Sequence, residues 1–209
     1  MTPINVAHWP RKSQYLFFRT YRNPHFSVTA DVDVTRLMTE LKPKGVPVFN
    51  ACLFAITGAA NDVPEFRTRF DATHVYECET VGASVTVPIE DRKFAFCDIP
   101  WQRDWLMFDE ACKREIEQAR QQTDLKNKVA GQGNWIYMTC LPWVHLTAMT
   151  HPVSGPDDCI PRVAWGKISQ TNGRWKMPVA VQVHHALADG LHVGLFFDAL
   201  QARLNTLQT

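Results

Sequence analysis

Residues 177–190 have the sequence MPVAVQVHHALADG. The run over 177–184 is rich in valine and is typical of a strand, here one that ends at a histidine pair. An Asp-Gly dipeptide then predicts the start of a closing helix over 189–207. Because successive side chains of a strand point to opposite faces, only one of His184 and His185 can face a given cleft. This junction indicates a fold that contains both strands and helices.

The histidine pair also offers candidate chemistry. An imidazole at a strand end, oriented by a hydrogen bond to one ring nitrogen, can act as a neutral general base. Asp189 can orient that loop electrostatically, or it can simply cap the helix. A purely structural histidine and a metal site formed by His184, His185 and Asp189 are the other interpretations, although no third Cys or His ligand stands at a recognisable spacing. The residues alone leave these alternatives open.

Working outward, the pattern predicts strands and helices without regular alternation. Residues 26–34 alternate apolar and polar as a half-buried strand does, and residues 49–60 are apolar on nearly every face, as in a buried helix. An Asn172-Gly173 turn predicts a hairpin. Further strands are predicted over 66–70, 74–77, 83–87, 94–98, 135–139 and 163–169, and helices over 10–21, 36–41 (with Thr35 as N-cap) and 104–123. This order predicts an α+β fold, with a mixed, largely antiparallel sheet flanked by helices, in a single domain over 1–209.

Composition excludes several classes of protein. The 209 residues are 45% hydrophobic and 21% charged, which excludes a disordered chain, and the net charge of +1 gives no electrostatic case for nucleic acid or an anionic membrane. Apolar runs such as 51–60 are too short to cross a bilayer, and the N-terminus has no signal-peptide core. Six scattered cysteines without a C-x-x-C pair predict reduced thiols in the cytoplasm. The chain also lacks the G-x-G-x-x-G, P-loop, G-x-S-x-G and H-E-x-x-H motifs.

The segment His-His-Ala-Leu-Ala-Asp-Gly at 184–190 resembles the H-H-x-x-x-D-G signature of the chloramphenicol acetyltransferases and, more distantly, of dihydrolipoyl acyltransferase catalytic domains. Three more motifs of that family follow in family order and at family spacings: Trp9-Pro10-Arg11-Lys12 with Phe17-Phe18-Arg19, Phe26-Ser27-Val28-Thr29, and Leu141-Pro142-Trp143-Val144. The resemblance covers nearly the whole chain.

The resemblance implies a coenzyme A-dependent acyltransferase fold and a homotrimer with active sites at subunit interfaces. It implies acetyl transfer from acetyl-CoA, as co-substrate, to a hydroxyl of chloramphenicol, which inactivates the antibiotic. The transfer is expected in a ternary complex, without an acyl-enzyme and without a metal. His185 is then the general base, and Asp189 pairs with Arg11 to shape the catalytic loop. Thr139 stands where the family has a serine whose hydroxyl stabilises the oxyanion. A β-branched residue filling a strand is the alternative for Thr139.

The same resemblance implies binding residues for both substrates. Trp143 is expected to line the coenzyme A tunnel with Lys167 nearby, although a core tryptophan and a solvated lysine are the alternatives. Side chains that match the acceptor pocket are Phe17, Phe18, Phe26, Phe94 and Arg162. Any of these phenylalanines can instead be ordinary core.

Other positions depart from the family pattern. Lys126, His151 and Arg162 stand where apolar residues are usual, and Ala164 replaces a threonine that holds a water. Buried cations favour a more polar or anionic alcohol, because an unpaired buried charge is costly. Two alternatives to chloramphenicol acetylation follow: the same chemistry on a more polar alcohol, or a catalytically silent trimer that only binds its ligand, as the replacements Thr139 and Ala164 suggest.

Overall fold

The structure, a computed structural model, describes residues 1–123, 125 and 134–208. The strands in this part of the chain are β1 (Thr2–Ile4), β2 (His25–Asp33), β3 (Thr68–Phe70), β4 (Val75–Glu77), β5 (Gly82–Pro88), β6 (Phe94–Ile99), β7 (Trp135–Leu141), β8 (Arg162–Gly166), β9 (Ser169–Thr171) and β10 (Arg174–His184). The α-helices are α1 (Lys12–Phe18), α2 (Val48–Asp62), α3 (Pro64–Arg67), α4 (Trp105–Arg120) and α5 (Gly190–Thr206).

A seven-stranded sheet forms the centre of the molecule. Its strands lie in the order β2-β10-β8-β7-β5-β6, and β9 pairs with β10. Strands β5, β7 and β8 are parallel neighbours, whereas the other pairs are antiparallel. A smaller sheet has the order β1-β4-β3. The predicted α+β class with a mixed, largely antiparallel sheet is confirmed.

The two faces of the large sheet differ in what covers them. On the first face, Val163, Val181 and Met138 pack with the buried residues of α2, α4 and α5 in the main hydrophobic core. The second face carries the aligned row Ala180, Ala164 and Thr139. Small side chains in this row leave room above the sheet, and the apolar cluster around them is completed by residues of the 141–149 segment.

Most predicted elements are present, although the helix predicted over 10–21 spans only Lys12–Phe18, and β1 (Thr2–Ile4) lies outside the predicted elements. Three further differences concern where elements begin and end. Thr35 is already helical, and the Asp33 carboxylate accepts its N–H, so Thr35 is not the predicted N-cap. The predicted strand over 66–70 starts only at Thr68, because Phe66 belongs to α3. The predicted strand over 163–169 is interrupted after Gly166, where β8 ends and β9 begins two residues later.

Gly173 and Gly166 stand at positions where a larger residue would be strained or would clash. Asn172 and Gly173 form the predicted turn between β9 and β10 with φ of 51° and 78°, a conformation that glycine and asparagine adopt most readily. Gly166 lies under the segment that follows β7: a Cβ there would stand 2.7 Å from the Val144 carbonyl oxygen and 2.8 Å from Leu146 Cγ. The absence of a side chain at Gly166 therefore lets that segment pack on the sheet.

The six cysteines are all free, and five of them are buried. Burial raises the pKa of the Cys52 thiol to about 12 and that of Cys140 to about 11. Their thiols are therefore held in the protonated form near neutral pH. No helix within the described ranges has the length and apolar character needed to cross a membrane.

Candidate active site

His185 follows the last residue of β10 and is held on several sides. Its backbone N–H donates to the Pro24 carbonyl at 2.8 Å. Its ring stacks on Phe18 at 3.9 Å between centroids and lies 4.7 Å from the ring of Phe26. Nδ1 lies 3.2 Å from the Ala188 carbonyl oxygen, which can only accept, so this hydrogen bond requires the proton on Nδ1. Nε2 then carries the lone pair, as a general base needs.

The loop after His185 is clamped by one guanidinium. Arg11 donates through Nε to the Ala186 carbonyl at 3.1 Å, through Nη2 to the His185 carbonyl at 3.0 Å, and through Nη1 to the Asp189 carboxylate at 2.7 Å. The Arg11 side chain is 11% exposed, so these contacts are largely shielded from solvent. The guanidinium fixes the backbone that carries the imidazole.

Asp189 is also the N-cap of α5, and its carboxylate accepts the Leu191 N–H at 3.0 Å. In return, Nδ1 of His192 accepts the Asp189 N–H at 3.1 Å, which completes a capping box. Burial acts to raise the pKa of Asp189, but the hydrogen bond from Arg11, the Arg11 charge and the hydrogen bond from the Leu191 N–H outweigh it and lower that pKa. Both interpretations of Asp189 from the sequence, loop partner and cap, therefore hold.

His184, which the sequence offers as a candidate metal ligand with His185 and Asp189, faces away from the His185 ring. Its Nε2 lies 2.8 Å from the Pro156 carbonyl oxygen, and its Nδ1 accepts the Ala186 N–H at 3.1 Å. Burial lowers its pKa to about 4. His184 thus fastens the 154–158 loop to the base of the catalytic loop, and both ring nitrogens are used. No group of three potential metal-ligating side chains occurs among the described residues.

Thr139 lies in the middle of β7, on the second face. It aligns with Ala164 of β8, which aligns with Ala180 of β10. His185 is five residues beyond Ala180, so it lies roughly 16 Å further along the sheet and roughly 10 Å across it from Thr139. One chain does not bring these two side chains together.

Trp143 and Lys167 lie at the carboxyl ends of the parallel strands β7 and β8. The Lys167 N–H donates to the Val144 carbonyl at 2.8 Å, which ties the two segments together. The Trp143 side chain is 77% exposed, so it is not the core tryptophan that was the alternative. Lys167 is exposed as well. Trp143 and Lys167, which the resemblance places near coenzyme A, are therefore neighbours at the carboxyl ends of β7 and β8.

The four phenylalanines expected in the acceptor pocket divide into two groups. Phe18 and Phe26 contact the His185 ring, and Phe17, which is 56% exposed, packs on Phe18 at 5.2 Å. Phe94 is half-exposed on β6, four strands away from β10 in the sheet order. It does not join the other three within one chain.

Two residues that the sequence predicts to be buried cations in the acceptor pocket, Arg162 and His151, do not place an unpaired charge there. Arg162 is buried, but its guanidinium is paired with Asp158 at 2.5 Å and lies 5.4 Å from the centroid of the Tyr137 ring. Burial and the Arg162 charge both lower the pKa of His151, so this imidazole is uncharged near neutral pH. Lys126 lies outside the described residues. The uncompensated buried cations predicted from Arg162 and His151 are thus not found.

Sequence reasoning missed a set of buried polar groups on the second face. Asp158 holds Arg162 and also accepts the Ser154 N–H and hydroxyl, each at 3.0 Å. Gln182 accepts the His151 N–H at 2.6 Å, and His25 lies 2.6 Å from the Asp158 carbonyl oxygen. The alternation of β2 and β10 carried a signal, because Ser27 and Gln182 stand at positions that share a face.

Comparison with known proteins gives a consistent result. The family model described as chloramphenicol acetyltransferase matches residues 1–201. The chain is 29% identical to the chloramphenicol acetyltransferase of Clostridium perfringens, over 99% of this chain and 95% of that protein. It is 27% identical to chloramphenicol acetyltransferase 3 of Escherichia coli, over 98% and 97% of the two chains.

Solved structures agree with the sequence comparisons. A chloramphenicol acetyltransferase structure superposes with a TM-score of 0.88 and 27% identity, covering 97% of this chain and 99% of the other. The dihydrolipoamide acetyltransferase of Azotobacter vinelandii shares the fold with a TM-score of 0.68 at 18% identity, covering 93% and 86% of the two chains. The resemblance in four separated motifs is thus matched over the whole length, and the chain belongs to the chloramphenicol acetyltransferase family.

Proposed function

We propose that the chain transfers the acetyl group of acetyl-CoA to a hydroxyl of chloramphenicol and so inactivates the antibiotic. The observation that carries the proposal is the state of the His185 ring. Its Nδ1 is engaged by the Ala188 carbonyl, and its Nε2 has no hydrogen-bond partner within the described residues. Relatives named chloramphenicol acetyltransferase, matched along nearly their full length, support the choice of acceptor.

The proposed mechanism uses the imidazole directly. Nε2 of His185 takes the proton of the acceptor hydroxyl while that oxygen attacks the thioester carbonyl. The hydroxyl of Thr139 donates a hydrogen bond to the negative charge that builds on the carbonyl oxygen. The carbon–sulfur bond then breaks, and the leaving thiolate takes the proton back from the imidazolium. Removal of such a base costs roughly 10²–10⁴ in rate.

Thr139 and His185 can serve one reaction only if they come from two copies of the chain. Within one chain they are separated by roughly 19 Å, whereas transition-state contacts need about 3 Å. Thr139 is only partly buried within one chain, which leaves its side chain accessible to a second copy. We therefore propose a homotrimer in which each active site combines His185 of one copy with Thr139 of the next.

The acetyl-CoA end of the site is assigned to Trp143 and Lys167. The Trp143 indole, which is 77% exposed, offers a flat apolar surface to acetyl-CoA. The neighbouring Lys167 ammonium can pair with the phosphate groups of acetyl-CoA. We assign Phe17, Phe18 and Phe26 to the acceptor side, next to His185. Phe94 and Arg162 can reach the acceptor only from the chain that supplies Thr139.

Two alternatives to acetylation of chloramphenicol predict different results in an activity assay. The acceptor can be another alcohol, in which case the same residues act on a different hydroxyl. The protein can also be a silent binder, an alternative that rests on the replacements Thr139 and Ala164. The intact clamp of Arg11 on Asp189 argues for catalysis, because a binder has no need of a fixed base. The pairing of Arg162 with Asp158 argues against an anionic alcohol.

The test is release of free thiol from acetyl-CoA by the purified protein, with and without chloramphenicol. Wild type and the matched control His74→Ala, at a histidine whose side chain is 72% exposed, are expected to release thiol only when chloramphenicol is present. His185→Ala is expected to be at least about 100-fold slower while remaining folded. Near wild-type turnover in that variant would show that His185 is not the base.

The same assay separates the alternatives. Release with other alcohols but not with chloramphenicol favours a different acceptor, and binding of chloramphenicol without any release favours the silent binder.

A cytoplasmic location is also proposed, because six free cysteines persist most readily in a reducing compartment. The assignment of one domain to 1–209 stays a prediction.

A further inference from the structure

His192, in the first turn of α5, contacts the end of the catalytic loop and a second helix at once. Its Nδ1 accepts the Asp189 N–H at 3.1 Å and lies 2.9 Å from Oδ1 of the same residue. Its Nε2 lies 3.4 Å from Oε1 of Glu65 in α3. The imidazole is 14% exposed, so it is largely enclosed between these two acidic residues.

The contact with Glu65 does not depend on the charge of the imidazole. A neutral ring must leave Nδ1 unprotonated to accept the Asp189 N–H, and its single proton is then on Nε2. An imidazolium carries a proton on each nitrogen and donates from Nδ1 to Oδ1 of Asp189 instead. In both forms the protonated Nε2 is the nitrogen next to the Glu65 carboxylate. Glu65 therefore favours the ring orientation in which Nδ1 meets Asp189.

Glu65 is held in place by the packing of α3 on α5. Its neighbour Phe66 is buried and stacks on Phe196 of α5, with 4.8 Å between the ring centroids and 5° between the ring planes. Phe196 lies one turn beyond His192 on the same helix. Within the described ranges, the Glu65 carboxylate has no ion-pair partner besides His192. The fold thus places this carboxylate against one side of the imidazole.

The contacts continue from Asp189 to the loop that carries the base. Oδ2 of Asp189 meets Arg11 at 2.7 Å, and Arg11 also donates to the His185 carbonyl at 3.0 Å. Oδ1 of Asp189 faces the Leu191 N–H and the His192 ring. A rotation of the carboxylate that improves one of these contacts weakens the others. The direction of Asp189 therefore depends on His192, and the position of the loop depends on Asp189.

We propose that Glu65 and His192 are positioning residues for acetyl transfer, which act on His185 through Asp189 and Arg11. The inference rests on the proposed function, because that function makes His185 the general base. Their part is to keep the imidazole of His185 where its Nε2 meets the acceptor hydroxyl. Loss of either residue should therefore lower kcat and leave KM for both substrates nearly unchanged.

The first test is steady-state thiol release from acetyl-CoA, with chloramphenicol as the acceptor. Glu65→Gln keeps the size of the side chain and removes its charge, and kcat is expected to fall about threefold. His192→Ala loses both contacts of the ring, and kcat is expected to fall about tenfold. Glu40→Gln is the matched control, since Glu40 forms an ion pair of the same 3.4 Å length with Arg36, outside the catalytic loop. Its kcat should equal that of wild type.

Two substitutions at position 192 separate positioning from helix capping. Glutamate and glutamine both serve at this position of a capping box, because either can accept the N–H of the N-cap residue. His192→Gln also keeps an N–H for Glu65 and is expected to restore most of kcat. His192→Glu places a second carboxylate against Glu65 and should stay about tenfold slow. Adding Glu65→Gln to His192→Glu removes this repulsion and should raise kcat, although Glu65→Gln alone lowers it.

Three results would overturn the inference, with urea midpoints used to confirm that each variant is folded. The first is a Glu65→Gln enzyme as fast as wild type. The second is equal activity of His192→Glu and His192→Gln, which would reduce His192 to a helix cap. The third is a Glu65→Gln substitution that lowers kcat by the same factor in wild type and in His192→Glu.

Hydrogen exchange of the Asp189 amide gives a readout that needs no substrate. Because His192 accepts this N–H, exchange should be faster in Glu65→Gln than in wild type, while amides in the middle of α2 exchange as before. Faster exchange without any acetylation of chloramphenicol would refute the proposed function and keep Glu65 as a support of the loop. Acetylation with kcat and exchange both unchanged in Glu65→Gln would do the reverse.

Discussion

The guanidinium of Arg11 lies 2.7 Å from the carboxylate of Asp189, and this ion pair joins residues 178 positions apart in the sequence. Arg11 precedes α1, whose Phe18 stacks on the imidazole of His185, and Asp189 caps α5. The pair therefore fixes both the loop that carries the imidazole and the aromatic ring against it. Loss of the pair is expected to affect stability and catalysis together.

Arg11→Ala should lower the free energy of unfolding by about 3 kcal/mol, because it leaves the Asp189 carboxylate and two carbonyls without their partner. The matched control is Arg174→Ala, which removes a pair with Asp33 from an arginine that is 74% exposed. That control should cost less than about 1 kcal/mol. Urea unfolding near pH 7 measures both, and equal losses would contradict the structural role of the clamp.

Thr139→Val removes the hydroxyl and keeps the shape of the side chain. If the hydroxyl stabilises the oxyanion, kcat should fall roughly 10²–10³-fold with little change in KM. Thr139→Ser retains the donor and should keep most of the activity. Steady-state thiol release measures the three proteins, and a Thr139→Val enzyme as fast as wild type would remove Thr139 from the mechanism.

Mixed assemblies test whether a site is shared between copies. His185→Ala and Thr139→Val chains are each expected to be nearly inactive. Co-expressed in equal amounts, they should regain about a quarter of wild-type activity, because a random ring places an intact His185 beside an intact Thr139 at that frequency. Activity that stays at the level of the single variants would contradict a site formed by two chains.

Gly166→Ala should destabilise the protein by about 1–3 kcal/mol, because the new methyl group would overlap the Val144 carbonyl and Leu146. Displacement of that segment should also raise KM for acetyl-CoA, since Trp143 belongs to it. Gly194→Ala is the control: a Cβ there meets nothing within 4 Å, and alanine favours the helix α5. Thermal unfolding and initial rates distinguish the two variants.

Acid should destabilise the protein before its carboxylates titrate. Burial lowers the pKa of His184 to about 4, below its ordinary 6.5, so the unfolded chain takes up a proton first as the pH falls. Stability is then lost between pH 6.5 and pH 4, by about 3 kcal/mol from this group. Burial of His25 and of His151 acts in the same direction.

His184→Gln should flatten that part of the stability curve, although the variant is less stable at pH 7. Urea midpoints at pH 7.5, 6 and 5 give the slope. A slope as steep as in wild type would assign the acid sensitivity to the other histidines.

Much of the fold was predictable because its signals are local. Alternation over 26–34, the continuous apolar run of α2 and the Asn172-Gly173 turn each depend on a few neighbouring residues, and each predicted element is present. The division of 163–169 into two strands was not predictable, since it depends on the close approach of the Val144 segment to Gly166. Tertiary packing decided where the strand ends.

The candidate site was predictable only in part. Local motifs located His185, Asp189 and Arg11, because each belongs to a signature that the family shares. Pairing of Arg162 with Asp158 could not be predicted from the sequence, because charge compensation depends on where each side chain points in the folded protein. For the same reason, the sequence predicts a cationic pocket that includes His151, whereas burial and the Arg162 charge lower the pKa of this imidazole.

The burial of the cysteines has a practical consequence for labelling. With five of the six thiols inside the core, and the pKa of partly exposed Cys140 raised to about 11, the folded protein should react only slowly with thiol-specific reagents. A chromogenic thiol reagent therefore records coenzyme A with a low background from the protein. A cysteine introduced on the surface would be a nearly unique attachment point for a fluorophore or spin label, without prior removal of the native six.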